Sequence, residues 1–195
     1  MFGYRKLYAA DAQILADHVL RLSEDDRRSR FAGAMSERQI RRYFETIDWQ
    51  YATVIGYFDH SVLRAAVELR LDPGSESKVA EAAFSVERGL QGKGIGTALM
   101  RRIVTVAQNS GVARLAVVCL PENGRMRHLA AKFKAQTTVD IEEVVSSIEL
   151  EPVNPLSLVQ ESIDDTSGYL PILLGQWYAS LFDLLTPPQP VRTGA

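Results

Sequence analysis

The sequence predicts an α/β (α+β) domain over residues 1–150 and a helical C-terminal extension over residues 151–195. Three observations support this fold class. Strand-like and helix-like runs alternate through the first range, a glycine-rich turn joins one strand to a long helix, and 46% of the residues are hydrophobic while 24% are charged. This composition is typical of a globular chain with one sizeable core.

The first half of the domain is expected to hold three strands and two helices. Residues 2–8 are strand-like, and an apolar run at helical spacing follows Asp11. We expect the charged segment 23–33 to be a loop. Ser36 and Gln39 have capping-box spacing and predict a helix over 37–47. The runs 51–58 and 62–71 read as a β-hairpin, and one face of its second strand is expected to carry Leu63, Ala65, Val67, Leu69 and Leu71.

The second half repeats the alternation. A strand over 78–86 leads through the glycine-rich turn to a helix from Gly94 to about Ser110, where Gly111 supplies a stop. The elements expected after it are a strand at 114–120, a helix at 122–134, and strands at 136–140 and 143–150.

Charge and cysteine content exclude several classes of protein. A formal net charge of -2 provides no general field for nucleic acid or an anionic membrane, so we expect neither partner. The single cysteine, Cys119, cannot form an intramolecular disulfide, and the first residues lack the apolar core of a secretory signal, so a cytoplasmic location is expected. The three histidines lie far apart, and no metal site is expected.

The most informative segment is the glycine-rich turn at residues 89–97. Glycines let a ligand approach the backbone, and the unpaired N–H groups of a helix start bind phosphate. A P-loop does not fit, because Ile95 and Gly96 stand where Lys and Ser or Thr are required. A dinucleotide loop does not fit either, because the glycines at 92, 94 and 96 are spaced by two. A plain turn without a ligand is the remaining alternative.

Gln91, Gly94 and Gly96 match the pyrophosphate loop, Gln/Arg-x-x-Gly-x-Gly/Ala, of the GNAT-type N-acetyltransferase superfamily. The predicted element order over 1–150 is similar to that family's fold, a central mixed, mostly antiparallel twisted sheet flanked by helices. The stretches AEAAFSV, LQGKGIGTAL and LPENGRM most resemble the bacterial branch whose members acetylate protein lysines. The resemblance implies transfer of an acetyl group from acetyl-CoA to a primary amine, on a protein lysine or a small molecule.

The resemblance also implies where coenzyme A binds. The pantetheine arm is expected to add to the edge of the strand near residues 84–86, with a backbone N–H facing the thioester oxygen. Asn123 either contacts the pantetheine or caps the helix that follows it. The residues expected to bind the coenzyme are Phe84, Ser85, Val86, Gln91, Gly92, Lys93, Gly94, Ile95, Gly96, Thr97 and Asn123.

Two glutamates are candidates for the catalytic base. The resemblance implies that Glu81 occupies the position of the catalytic glutamate in the lysine-acetylating branch. We expect its carboxylate, which lies among alanines, to be weakly solvated. Glu68 is the second candidate. Arg64 and Arg70 flank it on its own strand face, which favours an ion-paired structural role. We therefore favour Glu81.

The chain departs from the family pattern after Asn123. Many members carry a tyrosine seven residues later as general acid, but here that position is Ala130. The family's Lys-x-Gly-Phe turn is also altered, because residues 132–135 of this chain read Lys-Phe-Lys-Ala. Either the coenzyme A thiolate leaves without a general acid, which is feasible for a thiol of pKa ~8.5, or water acts as the acid.

Other reactive side chains favour structural roles. Cys119, with His128 nearby in sequence, is a candidate nucleophile, but its place in an apolar strand favours a buried thiol. The arginines of segments 27–30 and 38–42 are candidates for the coenzyme's 3′-phosphate or an acidic substrate, and the acids beside them favour a solvated mixed-charge face.

The extension carries a short predicted helix at 156–165 and an apolar segment at 169–185 that is too interrupted to span a bilayer. We favour a homodimer formed through this extension over packing on its own domain. Two alternatives to an enzyme stay open: a non-catalytic acyl-CoA-binding sensor, and an interaction module on the same scaffold.

Overall fold

The computed structural model describes residues 2–72, 74, 78–141 and 143–166. Its centre is a seven-stranded sheet in the order β1-β2-β3-β4-β5-β7-β6. Only β4 and β5 pair in parallel, and the other neighbours are antiparallel. The strands are β1 Phe2–Leu7, β2 Ala52–Asp59, β3 Val62–Leu71, β4 Val79–Val86, β5 Arg114–Cys119, β6 Gln136–Val139 and β7 Val144–Glu149.

Helices cover both faces of this sheet. Leu15 on one helix and Ile40 on another join a core cluster with Val54 and Ala66, whereas Leu99 packs in a second cluster on the opposite face. Both layers form because the apolar residues of strands and helices recur at their proper periods. The predicted mixed sheet flanked by helices is confirmed. The helices are α1 Ala12–Leu20, α2 Glu24–Phe31, α3 Glu37–Glu45, α4 Ile95–Asn109, α5 Gly124–Lys132 and α6, which is helical over 155–166.

The expectation of a loop over residues 23–33 is wrong, because this segment contains α2. Ser23 caps the helix by accepting a hydrogen bond from the Asp26 backbone N–H at 3.2 Å. Acidic side chains fill the first turn, and Arg28 and Arg30 lie in the last, so both ends complement the helix dipole. Charge placement therefore stabilises a helix that has no apolar stripe.

The expected face of β3 is also partly wrong. The pairing of β2 with β3 shifts between Tyr57 and Phe58, so that Tyr57 opposes Ala65 while Phe58 opposes Leu63. The extra residue is Arg64. Leu63 consequently packs under α1–α3 with Ala66, whereas Ala65, Val67 and Leu69 face α4.

The extension begins with α6, which confirms the predicted helix. Lys6 on β1 forms ion pairs with Glu161 at 2.6 Å and Asp165 at 2.8 Å. Asn109 at the end of α4 donates to Glu161 at 2.7 Å. The apolar segment 169–185 lies outside the described residues, and among those described no helix is both long and apolar enough to cross a bilayer.

Candidate functional site

The site is built where β4 and β5 separate. Their parallel ladder pairs only Val79–Glu81 with Arg114–Ala116, although both strands continue, β4 to Val86 and β5 to Cys119. Beyond Glu81 the two strands therefore form a cleft that opens toward the glycine-rich turn. We call this feature the β4–β5 cleft.

The edge of β4 in this cleft carries backbone groups without a ladder partner. The Glu87 N–H donates to the Arg64 carbonyl at 3.1 Å, toward β3. Because donors alternate along a strand, the N–H groups of Phe84 and Val86 point to the other side, into the β4–β5 cleft. This edge is suited to adding an extended ligand as a further strand.

The glycine-rich turn closes the wide end of the β4–β5 cleft. Gly92 and Gly94 have φ of +75° and +82°, a region that glycine enters without strain, and Gly94 is the N-cap of α4. No side chain caps this helix start. The N–H groups of Ile95, Gly96 and Thr97, its first three residues, therefore have no acceptor within the helix, an arrangement that suits an anion.

Gln91 connects the glycine-rich turn to β4 and to the start of α5. Its Nε2 donates to the Val86 carbonyl at 2.9 Å, and Arg125 at the start of α5 donates to its Oε1. Sequence reasoning did not single out Arg125, whose only signal was its place two residues after Asn123. Arg88 pairs with Asp26 at 3.1 Å and thereby holds α2 against the same turn.

Asn123 is placed as a helix cap. Its Oδ1 accepts the Met126 backbone N–H at 3.1 Å, which realises the capping alternative. Ala130, at the position of the family tyrosine, is fully buried. No hydroxyl therefore approaches the cleft from that position, and the departure from the family pattern holds in the structure.

Glu81 lies at the fork of the β4–β5 cleft, as the last β4 residue of the ladder, opposite Arg70 on β3. Ala80 and Ala82 are buried toward α4, so Glu81 shares the α1–α3 face with Ala83 and Ser85, as predicted. Its side chain is exposed. The expectation of a weakly solvated carboxylate is wrong, because the side chain leaves the sheet on a face that is open at this position.

Glu68 is buried and surrounded by donors. Its carboxylate accepts from Arg30 Nη2 at 2.6 Å, Arg70 Nε at 2.6 Å and the Tyr43 hydroxyl at 3.0 Å. Arg64, expected beside it, instead pairs with Glu87. Both Glu68 oxygens accept hydrogen bonds and the residue is only 3% exposed, an arrangement suited to a structural anchor for α2 and α3.

A second polar cluster connects α1 to the end of β4, and sequence reasoning missed it. His18 is completely buried, with Nε2 at 2.9 Å from Ser85 Oγ and Nδ1 at 3.3 Å from Glu87 Oε1. Burial lowers the pKa of His18, which keeps the imidazole neutral. Burial alone would raise the pKa of Glu87, but hydrogen bonds from His18, Arg64 and Arg21 lower it to about 2.

The remaining candidates take structural roles. Cys119 is buried, and burial raises the pKa of its thiol, which does not suit a nucleophile. Arg28 and Arg41 form ion pairs with Glu122 and Glu37. This agrees with the mixed-charge interpretation for these two residues, whereas Arg30 departs from it because its guanidinium is buried against Glu68.

Comparison with known proteins decides the family. Residues 18–134 match the acetyltransferase (GNAT) family. The chain belongs to this family. The GNAT family consists of N-acetyltransferases that use acetyl-CoA, so the predicted resemblance and fold are confirmed.

Individual relatives include two bacterial acetyltransferases that carry the name Pat. Acetyltransferase Pat of Mycolicibacterium smegmatis is 29% identical over 126 residues, which cover 59% of this chain but only 38% of that protein's length. The GNAT domain of S. lividans PAT has a TM-score of 0.65 at 22% identity, over 75% of this chain and 89% of that one. The PaiA N-acetyltransferase of Thermoplasma acidophilum, solved with coenzyme A, has a TM-score of 0.58 at 18% identity over 76% and 99%.

Proposed function

We propose that this GNAT chain transfers an acetyl group from acetyl-CoA to a primary amine, with Glu81 as general base. The observation that carries the proposal is the position of Glu81 at the fork of the β4–β5 cleft, where the ladder with β5 ends. A thioester held in the cleft would lie beside this exposed carboxylate. The base and the coenzyme edge are thus parts of one strand.

Coenzyme binding is assigned to the backbone first. The N–H groups of Phe84 and Val86 would pair with the pantetheine amides, and those of Ile95–Thr97 would receive the pyrophosphate with support from the helix dipole. Lys93 and Arg125 are exposed at the rim of the cleft and add positive charge near the phosphates. Most of the affinity for acetyl-CoA then depends on the backbone conformation of the glycine-rich turn.

The chemical step follows from these positions. Glu81 accepts a proton from the ammonium of the acceptor, directly or through water, and the neutral amine attacks the thioester carbonyl. A C–N bond forms, and a β4 N–H stabilises the oxyanion. The C–S bond then breaks, and coenzyme A leaves as a thiolate that takes up the second proton lost by the attacking nitrogen, while the proton on Glu81 passes to water. A thiol of pKa ~8.5 is a good leaving group, so the buried Ala130 in place of a tyrosine does not prevent the reaction.

The proposed acceptor is a lysine of a protein, with a small amine as the alternative. The exposed position of Glu81 on an open face admits a lysine carried by a large partner. The similarity to Pat and to the GNAT domain of PAT supports the same class. We further propose that the protein acts in the cytoplasm as a homodimer formed through residues 151–195.

A non-catalytic acyl-CoA sensor is the second candidate, and the missing tyrosine at Ala130 favours it. Coenzyme A release during incubation with acetyl-CoA and lysine peptides or polyamines separates the two functions. We expect Glu81→Gln to lower turnover about 10²-fold while the acetyl-CoA Kd stays unchanged. The control Glu149→Gln replaces an exposed carboxylate on β7 and should be silent. Tight acetyl-CoA binding without turnover on either class of acceptor would favour the sensor.

A further inference from the structure

The acetyl-transfer steps leave the His18 cluster without a role. His18 is a fully buried histidine on α1, and it contacts Ser85 within β4 and Glu87 directly after it. The question is what this cluster controls.

The donors and acceptors of the cluster are fixed by charge. The Glu87 carboxylate also accepts from Arg21 Nε at 3.0 Å and Arg64 Nη1 at 2.7 Å, so it is ionised and can only accept. His18 Nδ1 therefore carries the proton and donates to Glu87, while Nε2 accepts from the Ser85 hydroxyl. Among the described residues, the charged groups that face the imidazole are Glu87 after β4, Arg21 on α1 and Arg64 on β3.

The two contacts of His18 bracket the coenzyme edge. Ser85 lies between Phe84 and Val86, whose N–H groups point into the β4–β5 cleft, and Glu87 begins the turn toward Gln91. The Glu87 N–H is also bound to β3. Any rotation of this part of β4 about its axis would break the bonds to His18 and redirect both N–H groups.

We propose that His18 is a positioning residue for the coenzyme, holding Ser85 and Glu87 from α1 so that the β4 edge at Phe84–Val86 is oriented to receive the pantetheine arm. This rests on the proposed function, because it requires that acetyl-CoA binds along β4. Hydrogen bonds from a helix packed on the sheet reduce the ordering that the ligand would otherwise have to impose on the strand.

The same order of serine, histidine and carboxylate also occurs in nucleophilic triads. Here Ser85 is only 7% exposed, and its hydroxyl lies under α1 while the free strand edge faces the cleft. A nucleophile needs access to the thioester carbon, which this burial opposes. The positioning role is therefore the one that we test.

The role makes affinity depend on the protonation of His18. Protonation turns Nε2 into a donor, so the Ser85 hydroxyl must rotate to accept from it and donate toward the Ala66 carbonyl, 3.5 Å away, and a cation is added beside Arg21 and Arg64. Because burial lowers the pKa of His18, acetyl-CoA affinity should fall only at pH values below the ordinary histidine pKa of about 6.5. The phosphomonoester of coenzyme A itself titrates near pH ~6, so a variant without the imidazole must supply the baseline.

The experiment measures KM for acetyl-CoA and kcat of the full chain from pH 5.5 to 8 for four single variants and one double variant, with urea unfolding as a check of the fold. His18→Leu and Ser85→Ala should each raise KM about fivefold or more with little change in kcat. The pair should not be additive, because both remove the same bond. His18→Gln restores an acceptor for Ser85 and should recover part of the affinity without the histidine-dependent pH profile. Val19→Ala, a buried α1 residue in the apolar cluster, controls for general destabilisation.

Three results would overturn the inference. They are an unchanged KM in His18→Leu while wild type binds acetyl-CoA, a KM rise in Val19→Ala of the same size, and an acetyl adduct on Ser85, which would assign a nucleophilic role. If wild-type protein failed to bind acetyl-CoA at all, the proposed function would fail instead. Calorimetry on the wild type distinguishes these cases before any variant is made.

Discussion

Removing the guanidinium of Arg30 should destabilise the fold far more than removing any other arginine of α2. Arg30 is the one side chain of this helix that carries a positive charge into the core, where its Nη2 lies 2.6 Å from Glu68 Oε2. The two side chains are only 7% and 4% exposed. Arg30→Ala therefore leaves a buried carboxylate without its main partner.

The size of the stability loss depends on which hydrogen-bond donors still contact the Glu68 carboxylate. Breaking a buried ion pair by removing one partner costs about 3–5 kcal/mol. Tyr43 and Arg70 still contact Glu68, so we expect a loss near the lower end, about 3 kcal/mol. For a chain of this size, that loss lowers the melting temperature by roughly 6–12 °C.

Urea unfolding followed by circular dichroism measures this loss directly. Arg28→Ala is the matched control, because Arg28 lies on the same helix with a side chain 63% exposed and 3.8 Å from its partner. Its effect should stay below about 1 kcal/mol. The double variant Arg30→Met with Glu68→Leu should be more stable than Arg30→Met alone. Equal losses for Arg28→Ala and Arg30→Ala would refute the reasoning.

Three further outcomes are expected. Gly94→Ala should weaken acetyl-CoA binding at least about tenfold in calorimetry, because a side chain at φ +82° strains the N-cap of α4. Gly89→Ala should leave the affinity unchanged, and equal affinities of the two variants would show that the turn does not bind the coenzyme. The lowered pKa of Glu87 should add stability that is complete above pH 4.5 and is lost as the pH falls toward about 2, a dependence that Glu87→Gln should remove from acid unfolding curves. Deletion of residues 167–195 should convert a dimer to a monomer in light scattering, and a monomeric full-length chain would contradict the proposed assembly.

Elements with strong hydrophobic periodicity were predictable from the sequence. The strands and α4 follow from apolar residues at regular spacing, and the capping box of Ser36 marked the start of α3. The glycine-rich turn could be located because its closely spaced glycines stand directly before an apolar-periodic helix. Placing Glu81 on the face of Ser85 needed only strand alternation.

Features that depend on distant partners could not be predicted in the same way. α2 has no apolar stripe, and its inner contact joins Arg30 to Glu68, 38 residues away. The contact between His18 and Ser85 spans 67 residues and leaves no local signal. The exposure of Glu81 depends on which parts of its sheet face the helices cover, which is a property of the assembled fold. Sequence patterns specify faces and turns, but they do not specify which polar groups meet across elements.

The two outer strands of the sheet have a consequence for aggregation. An open sheet edge can template the strand of another chain, and natural proteins blunt such edges with charges or short strands. β1 carries Arg5 and Lys6, both held in ion pairs, and β6 is only four residues long. Both ends of the sheet are thus poor templates for a foreign strand. Copies of this protein that associate should therefore meet through helical side chains, and growth into a continuous intermolecular sheet should be disfavoured.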